Sequence, residues 1–397
     1  MKKGTELVHL GRAKGNFQGA VNPPVYQTST VLFPTLEAYH DAERGREHYQ
    51  SGPEGTRTDP AYGIGGTSTT FILQDALQTL EGGECCLITP SGLSAVTLAL
   101  MSFTKAGDHI LVVDTVYGPT RRFCNKTLKQ YGVEVTFFDP TIGAGIEALI
   151  QENTALIFLE SPGSLTFEVM DIPAITAIAQ ARGVKTLIDN SWATPLFYNP
   201  LSHGVDVVIH ALTKYIGGHA DLILGAVIGN KKAATPLMKT YKNLGITASP
   251  QECYIALRGL RTLQARMERH QRSALEVARW LQARPEVSRV LYPALPEDPG
   301  HAIWKRDFSG AASLFSVVLK RHYPFEQIAS FVNQLRYFGI GCSWGGYESL
   351  VLDMNPSGTR SATSWQPEGS ALRFYIGLES PEDLVADLEQ AFVRLSD

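Results

Sequence analysis

The sequence predicts an α/β fold: a mostly parallel, seven-stranded sheet covered by helices, followed by a smaller α+β domain. Three observations predict it. Between about residues 60 and 256, short β-branched runs alternate with segments whose apolar residues recur every three or four positions. The helical segments "IPAITAIAQARG" and "SAVTLALMSFTKAG" end at glycine, where a helix stops readily. Beyond residue 257 the pattern changes to one long helical stretch and then to strands mixed with helices.

The elements follow in order. Residues 1–59 are rich in Gly, Pro, Asn and Thr and show little period, so they are expected to form an extended arm. Residues 60–256 carry the strand runs "CCLIT", "HILVVD", "VEVTFFD", "ALIFLE", "VKTLID", "VDVVIHA" and "LILGAVIG", and are expected to form the main domain. The stretch "YIALRGLRTLQARMERHQRSALEVARWLQAR" reads as helix across the boundary into residues 257–397. That last part adds the strands "AASLFSVVLK" and "SALRFYIGLE" and closes on the amphipathic "PEDLVADLEQAFVRLSD".

Bulk composition narrows the function classes. A chain of 397 residues is too long for one ordinary core, and 44% apolar with 19% charged residues is a globular balance. The net charge of -4 leaves no basic footprint, so nucleic acid is not an expected partner. No apolar run reaches bilayer-spanning length, and "MKKGTELVHLGRAKG" has no apolar region behind its lysines. Five cysteines without a C-x-x-C pair argue against a disulfide framework and a structural zinc, and Cys85 and Cys86 read as core. The cytoplasm is the expected compartment.

In open α/β sheets, ligands bind at the carboxyl ends of strands. "VKTLID" ends in Asp189, and "VVIHALTK" ends at Lys214, 25 residues later. Either alone reads equally well as a solvated strand-end charge. Together they suggest pyridoxal phosphate, whose ring nitrogen needs a carboxylate and whose aldehyde condenses with a lysine amine. Leu212 and Ile216 would desolvate that amine, lower its pKa and free it for reaction. Gly217 and Gly218 would let the backbone turn away at once.

Five further features fit the same kind of site. "CCLITPSGLSAVTLAL" reads as strand, turn and helix, with Gly92 at the tight point and Ser94 near the start of a helix whose amides can hold a phosphate. Thr213 offers a hydroxyl beside the lysine. Tyr117 follows the strand "HILVVD" and is placed either to stack on a pyridine ring or to cap the core. Arg373 lies inside the apolar strand "SALRFYIGLES", where it needs an anion: a substrate carboxylate or an internal salt bridge. "CSWGGYESL" reads as a loop that shapes a pocket. Competing motifs fail, since "GIGGTST" lacks its strand and neither a P-loop nor H-E-x-x-H occurs. His210 and His219 read as structural or loop residues.

The segments "NPPVYQTST", "TPSGLSAV", "FLESPGS", "IDNSWATP", "ALTKYIGGHAD", "RGLRTL", "SWGGYES" and "RFYIGLE" resemble the Cys/Met-metabolism family of pyridoxal-phosphate enzymes along nearly the whole chain. Within it, "YPALP", "WKRDFSG" and "SWGGYESL" look most like the bacterial cystathionine β-lyases. The resemblance implies an aspartate-aminotransferase-like fold and a homotetramer built from two active dimers. It implies that Lys214 holds the cofactor, Asp189 pairs with its ring nitrogen and Tyr117 stacks on it. Gly92, Leu93 and Thr213 would hold the phosphate, Arg373 and Ser343 the substrate carboxylate, and Trp344 would line the pocket. Tyr62 and Tyr241 would reach in from a neighbouring subunit, and Tyr117 or Tyr62 would help deprotonate the incoming amine.

Three departures stand out. Many members carry Y-x-R where this chain has Tyr62-Gly63-Ile64, which removes a cross-subunit arginine from the phosphate. Ala211 stands where many relatives have serine. Cys342 replaces a glutamate frequent in γ-cleaving relatives, which favours β-chemistry. The implied activity is cleavage of L-cystathionine, a small amino-acid substrate, to L-homocysteine, pyruvate and ammonia, a methionine-biosynthesis step. A γ-lyase, a γ-synthase or a cysteine desulfhydrase stays open on the same scaffold, as does a cofactor-binding regulator with little turnover.

Overall fold

Seven β-branched runs pair into one sheet in the computed structural model, which describes residues 2–11, 17, 19–47 and 60–395. The strands are β1 (Cys85–Thr89), β2 (His109–Val113), β3 (Glu134–Phe138), β4 (Thr154–Glu160), β5 (Lys185–Asp189), β6 (Val207–Ala211) and β7 (Gly225–Gly229). They lie in the order β1-β7-β6-β5-β4-β2-β3, with only β7 antiparallel to its neighbours. Most of these strands read as near-continuous apolar runs because helices cover both faces. The parallel strands β4, β5 and β6 therefore end side by side at one edge, and Glu160, Asp189 and Ala211 sit on that edge.

The N-terminal segment differs from the expected arm. It contains two helices, α1 (Lys3–His9) and α2 (Leu36–Glu47). Helix α1 buries Leu7, and Arg261 donates to the Leu7 carbonyl at 2.9 Å. Its seven residues form a helix because tertiary packing covers them, a signal that composition does not carry. Next come α3 (Ser68–Glu81), α4 (Gly92–Ser102) and the short α5 (Gly118–Arg122). The expected division after residue 256 falls inside the helix Pro250–Arg261, which runs with one break at Thr262 into the helix Leu263–Gln282.

A second sheet follows, in the order β10-β11-β12-β9-β8. Its strands are β8 (Val287–Leu291), β9 (Leu314–Leu319), β10 (Phe338–Ile340), β11 (Ser349–Met354) and β12 (Ala371–Tyr375). The two sheets meet around the turn after β6. Tyr215 packs edge-on against His270 and tilted against Tyr375, and its hydroxyl accepts from the Ser313 amide at 2.9 Å. Arg266 is buried there and donates to the carbonyls of Tyr215 at 2.6 Å and Gly259 at 2.8 Å. Gly218, at φ +77°, passes so close that a β-carbon would lie 2.2 Å from that guanidinium. Among the described residues, no helix is long and apolar enough to cross a membrane.

Candidate active site

Lys214 lies in the tight turn that follows β6, so its amine emerges beside the end of β5. The amine donates to Ser343 Oγ at 2.8 Å and stands 5.2 Å from the centroid of the Trp344 ring. Burial first, and the Arg373 charge second, pull its pKa down to about 8. Near neutral pH a useful fraction of this lysine is therefore a free amine, which an ordinary lysine is not.

The loop that carries Ser343 and Trp344 comes from the second sheet and is pressed onto the lysine turn. Gly345 makes this fit possible: it sits at φ +90°, and a β-carbon there would lie 2.6 Å from the Lys214 carbonyl carbon. Trp344 also packs against Tyr215, with ring centroids 5.4 Å apart.

Asp189 ends β5 and accepts from the Ser191 amide at 2.9 Å. Burial raises its pKa, against the pull of Ser191 and of the nearby charges of His210 and Lys214. A buried carboxyl of this kind is stabilised by any cation brought to it, and a protonated pyridine nitrogen is one. Tyr117 stands just before α5 and is 47% exposed, and it senses both Asp189 and Cys342. Burial raises its phenol, so in the chain alone Tyr117 keeps its proton near neutral pH.

Arg373 sits on β12 opposite Ser316 and Leu352. Among the described residues it has no hydrogen-bond or ion-pair partner, so the internal salt bridge that would explain it is absent. Burial lowers its pKa, and it lies within electrostatic reach of Cys342, Tyr117 and Lys214. A half-buried guanidinium facing an amine calls for an anion between them.

The anion end of the site lies at the start of α4. Ser91 accepts from the Ser94 amide at 3.0 Å, and its carbonyl accepts from Ala95 at 3.1 Å. The amides of Gly92 and Leu93 are left as first-turn donors without an intrahelical acceptor. Gly92 lies against β6, with a β-carbon there placed 2.7 Å from Ala211 Cβ, so this helix start adjoins the lysine turn. Thr213 is beside it, but its hydroxyl is tied to the Leu224 backbone, donating to the carbonyl at 3.2 Å and accepting from the amide at 3.0 Å.

The remaining expected residues lie elsewhere. Tyr62 and Ile64 are 47% and 40% exposed, in a cleft shared with Gln27, Thr28 and Thr247 and not with Lys214. Tyr241 lies in the interior, its hydroxyl donating to the Ile88 carbonyl at 2.9 Å, so within one chain it does not reach outward. Two features went unnoticed in the sequence. Glu160, at the end of β4, is the register partner of Asp189. Asp114, just past β2, accepts from the amides of Ser361 at 2.9 Å and Thr363 at 2.8 Å and pairs with Arg121, which clasps the loop before β12 onto the Tyr117 turn. A strand-end carboxyl was signal enough for both.

An acid, an amine with a lowered pKa, a flat aromatic face and helix-start amides thus converge at one sheet edge. This donor set fits pyridoxal phosphate: carboxylate for the ring nitrogen, amine for the aldehyde and amides for the phosphate. Comparison with known proteins agrees. The chain matches the Cys/Met metabolism PLP-dependent enzyme family over residues 4–393. It is 46% identical over 396 residues to an L-alanine/L-glutamate racemase of Wolbachia pipientis wMel, covering 100% of this chain and 98% of that one. It is 40% identical over 399 residues to the cystathionine beta-lyase MetC of Escherichia coli K12, covering 99% of each. Cystathionine gamma synthase from Xanthomonas oryzae pv. oryzae, solved with aminoacrylate and cysteine, superposes with a TM-score of 0.86 at 30% identity, over 99% of this chain and 98% of that one. The aspartate-aminotransferase-like fold expected from the sequence is the fold observed, and the chain belongs to the Cys/Met-metabolism family of pyridoxal-phosphate-dependent enzymes.

Proposed function

We propose that the protein is a carbon–sulfur lyase that cleaves L-cystathionine to L-homocysteine, pyruvate and ammonia. The observation that carries the reading is Arg373: among the described residues a guanidinium without an anion, within electrostatic reach of a lysine whose amine is partly neutral. That pair is built to hold an amino-acid carboxylate while a base works on the neighbouring carbon. Cys342 supports β- over γ-cleavage, because a thiol in electrostatic reach of the lysine gives a distal substrate ammonium no carboxylate to bind. The similarity to the Escherichia coli β-lyase along the whole chain points the same way.

Bound pyridoxal phosphate supplies an aldehyde that captures amines and a ring that withdraws electrons from the adjacent carbon. The residues of the chain do the rest. Arg373 binds the α-carboxylate with two parallel N–H···O bonds and so turns the Cα–H bond toward Lys214. Lys214 Nζ takes that proton, aimed by its hydrogen bond to Ser343. Asp189 would hold a proton on the ring nitrogen, Tyr117 would lie against the ring, and Gly92 and Leu93 would bind the phosphate. Trp344 keeps water from the lysine side. Tyr62 completes the site from a second copy of the chain, in a homotetramer of two active dimers.

Amino-acid racemisation is a second reading, favoured by the similarity to the Wolbachia racemase. Incubating the purified holoenzyme with L-cystathionine, and separately with L-alanine, tests both. Pyruvate from cystathionine is the expected result. A product of 2-oxobutyrate would replace β- with γ-cleavage, and D-alanine formation without pyruvate would favour the racemase.

A further inference from the structure

Glu160 is a partly buried carboxyl at the edge of the site, yet the chemistry above gives it nothing to do. It ends β4 opposite Asp189 on β5, so the two carboxyls project from neighbouring strands on the same side of the sheet. One oxygen accepts from the Tyr117 amide at 2.7 Å, and the other accepts from Ser164 Oγ at 2.7 Å. The Ser164 amide in turn donates to the Thr115 carbonyl at 2.8 Å. One carboxyl therefore joins three separate pieces of chain: the turn that carries Tyr117, the turn that carries Ser164, and the strand edge beside Asp189.

We propose that Glu160 is a positioning residue of this site: it fixes the Tyr117 turn and the Ser164 hydroxyl, and sets a second negative charge beside Asp189 where the ring nitrogen binds. Both of its oxygens already act as acceptors, which is the arrangement of a carboxylate. The groups that face the pair are Asp189 from β5, the Tyr117 phenol with Arg122 beside it, Lys214 from the turn after β6, and His210 from β6 itself. Burial first and the Asp189 charge second raise Glu160, so without a cation the pair tends to hold a proton, and bringing a cation to it stabilises both carboxylates together and gives Glu160 its full charge. The inference rests on the cofactor, not on which amino acid is cleaved.

The test is a pH titration of the visible absorption of the holoprotein, with cofactor affinity measured by dialysis, for the wild type, Glu160→Gln and Glu160→Asp. Glu160→Gln keeps an acceptor for the Tyr117 amide but loses the charge. Cationic forms of the bound cofactor then lose support, so the midpoint should fall by on the order of one pH unit and affinity by roughly tenfold. Glu160→Asp keeps the charge but withdraws it by one methylene; affinity should drop while the midpoint stays near that of the wild type. Unchanged midpoint and affinity in Glu160→Gln would reduce Glu160 to scaffold and overturn the proposal. Should Glu160→Gln lack a cooperative melt, Glu160→Asp takes its place, and full affinity there overturns the proposal instead. A wild type with no visible cofactor band would refute the cofactor assignment itself, which is a separate failure.

Discussion

The edge where β5 and β6 end and the cleft around Tyr62 and Ile64 are built on opposite principles. At the strand edge, Asp189, Lys214, Ser343 and Arg373 are brought together by one chain, and burial tunes their charges. In the cleft, Tyr62 at 47% exposure and Ile64 at 40% share the lining, among the described residues, with neither that cluster nor a charged side chain. The difference teaches that the groups proposed to do the chemistry are gathered inside the fold, while Tyr62 and Ile64 stand on its surface. Changes at the edge should abolish function, and changes in the cleft should only adjust it.

The largest expected effect is at the edge. Lys214→Ala removes both the amine that holds the cofactor and the base, so turnover should fall by on the order of 10⁴ or more, with loss of the visible band. Pyruvate formation at the wild-type rate would break the comparison outright. Arg373→Leu comes next: losing two charge-assisted hydrogen bonds should cost about 3 kcal/mol, a roughly hundredfold loss in kcat/KM. It also removes a cation that lowers the lysine, so the midpoint for cofactor capture by the cofactor-free protein should rise above about 8. The sign follows because capture needs the neutral amine, and a higher pKa delays it to higher pH. Stopped-flow measurement across pH would show it. The smallest effect is expected in the cleft. Ile64→Arg places a cation on the surface proposed to meet a second copy and should tighten cofactor binding several-fold without changing kcat. A loss of turnover there would mean that the cleft belongs to the chemistry after all.

Much of this architecture was legible in the sequence, and the exceptions have physical causes. The strands of the main sheet could be read because a sheet buried on both faces demands unbroken apolar, β-branched runs. Helix α2, "LEAYHDAERGRE", was missed because it is polar almost all round and presents no apolar stripe to detect. The boundary expected at residue 256 coincides with no break in the chain, because one helical pattern runs through it as far as Thr262 and Gly259 is held inside that helix. In the site, Lys214, Asp189 and Arg373 stood out as charges where a core should be. Glu160 closes "ALIFLE" in just the same manner, but unlike Asp189 and Lys214 it has no complementary charge in the sequence to give it a role. That Thr213 spends its hydroxyl on Leu224, and Tyr241 on Ile88, depends on contacts between distant segments.

The close seating of Gly345 on Lys214 also bears on how the enzyme is made. During synthesis the tyrosine, acid and amine emerge first, and the serine, glycine and arginine follow only after on the order of ten seconds of further translation. Through that interval the reactive lysine has no hydroxyl to steady it and no roof above it. A nascent chain can thus be fully sheet-forming and still chemically unfinished, with competence arriving in one step as the late loop docks.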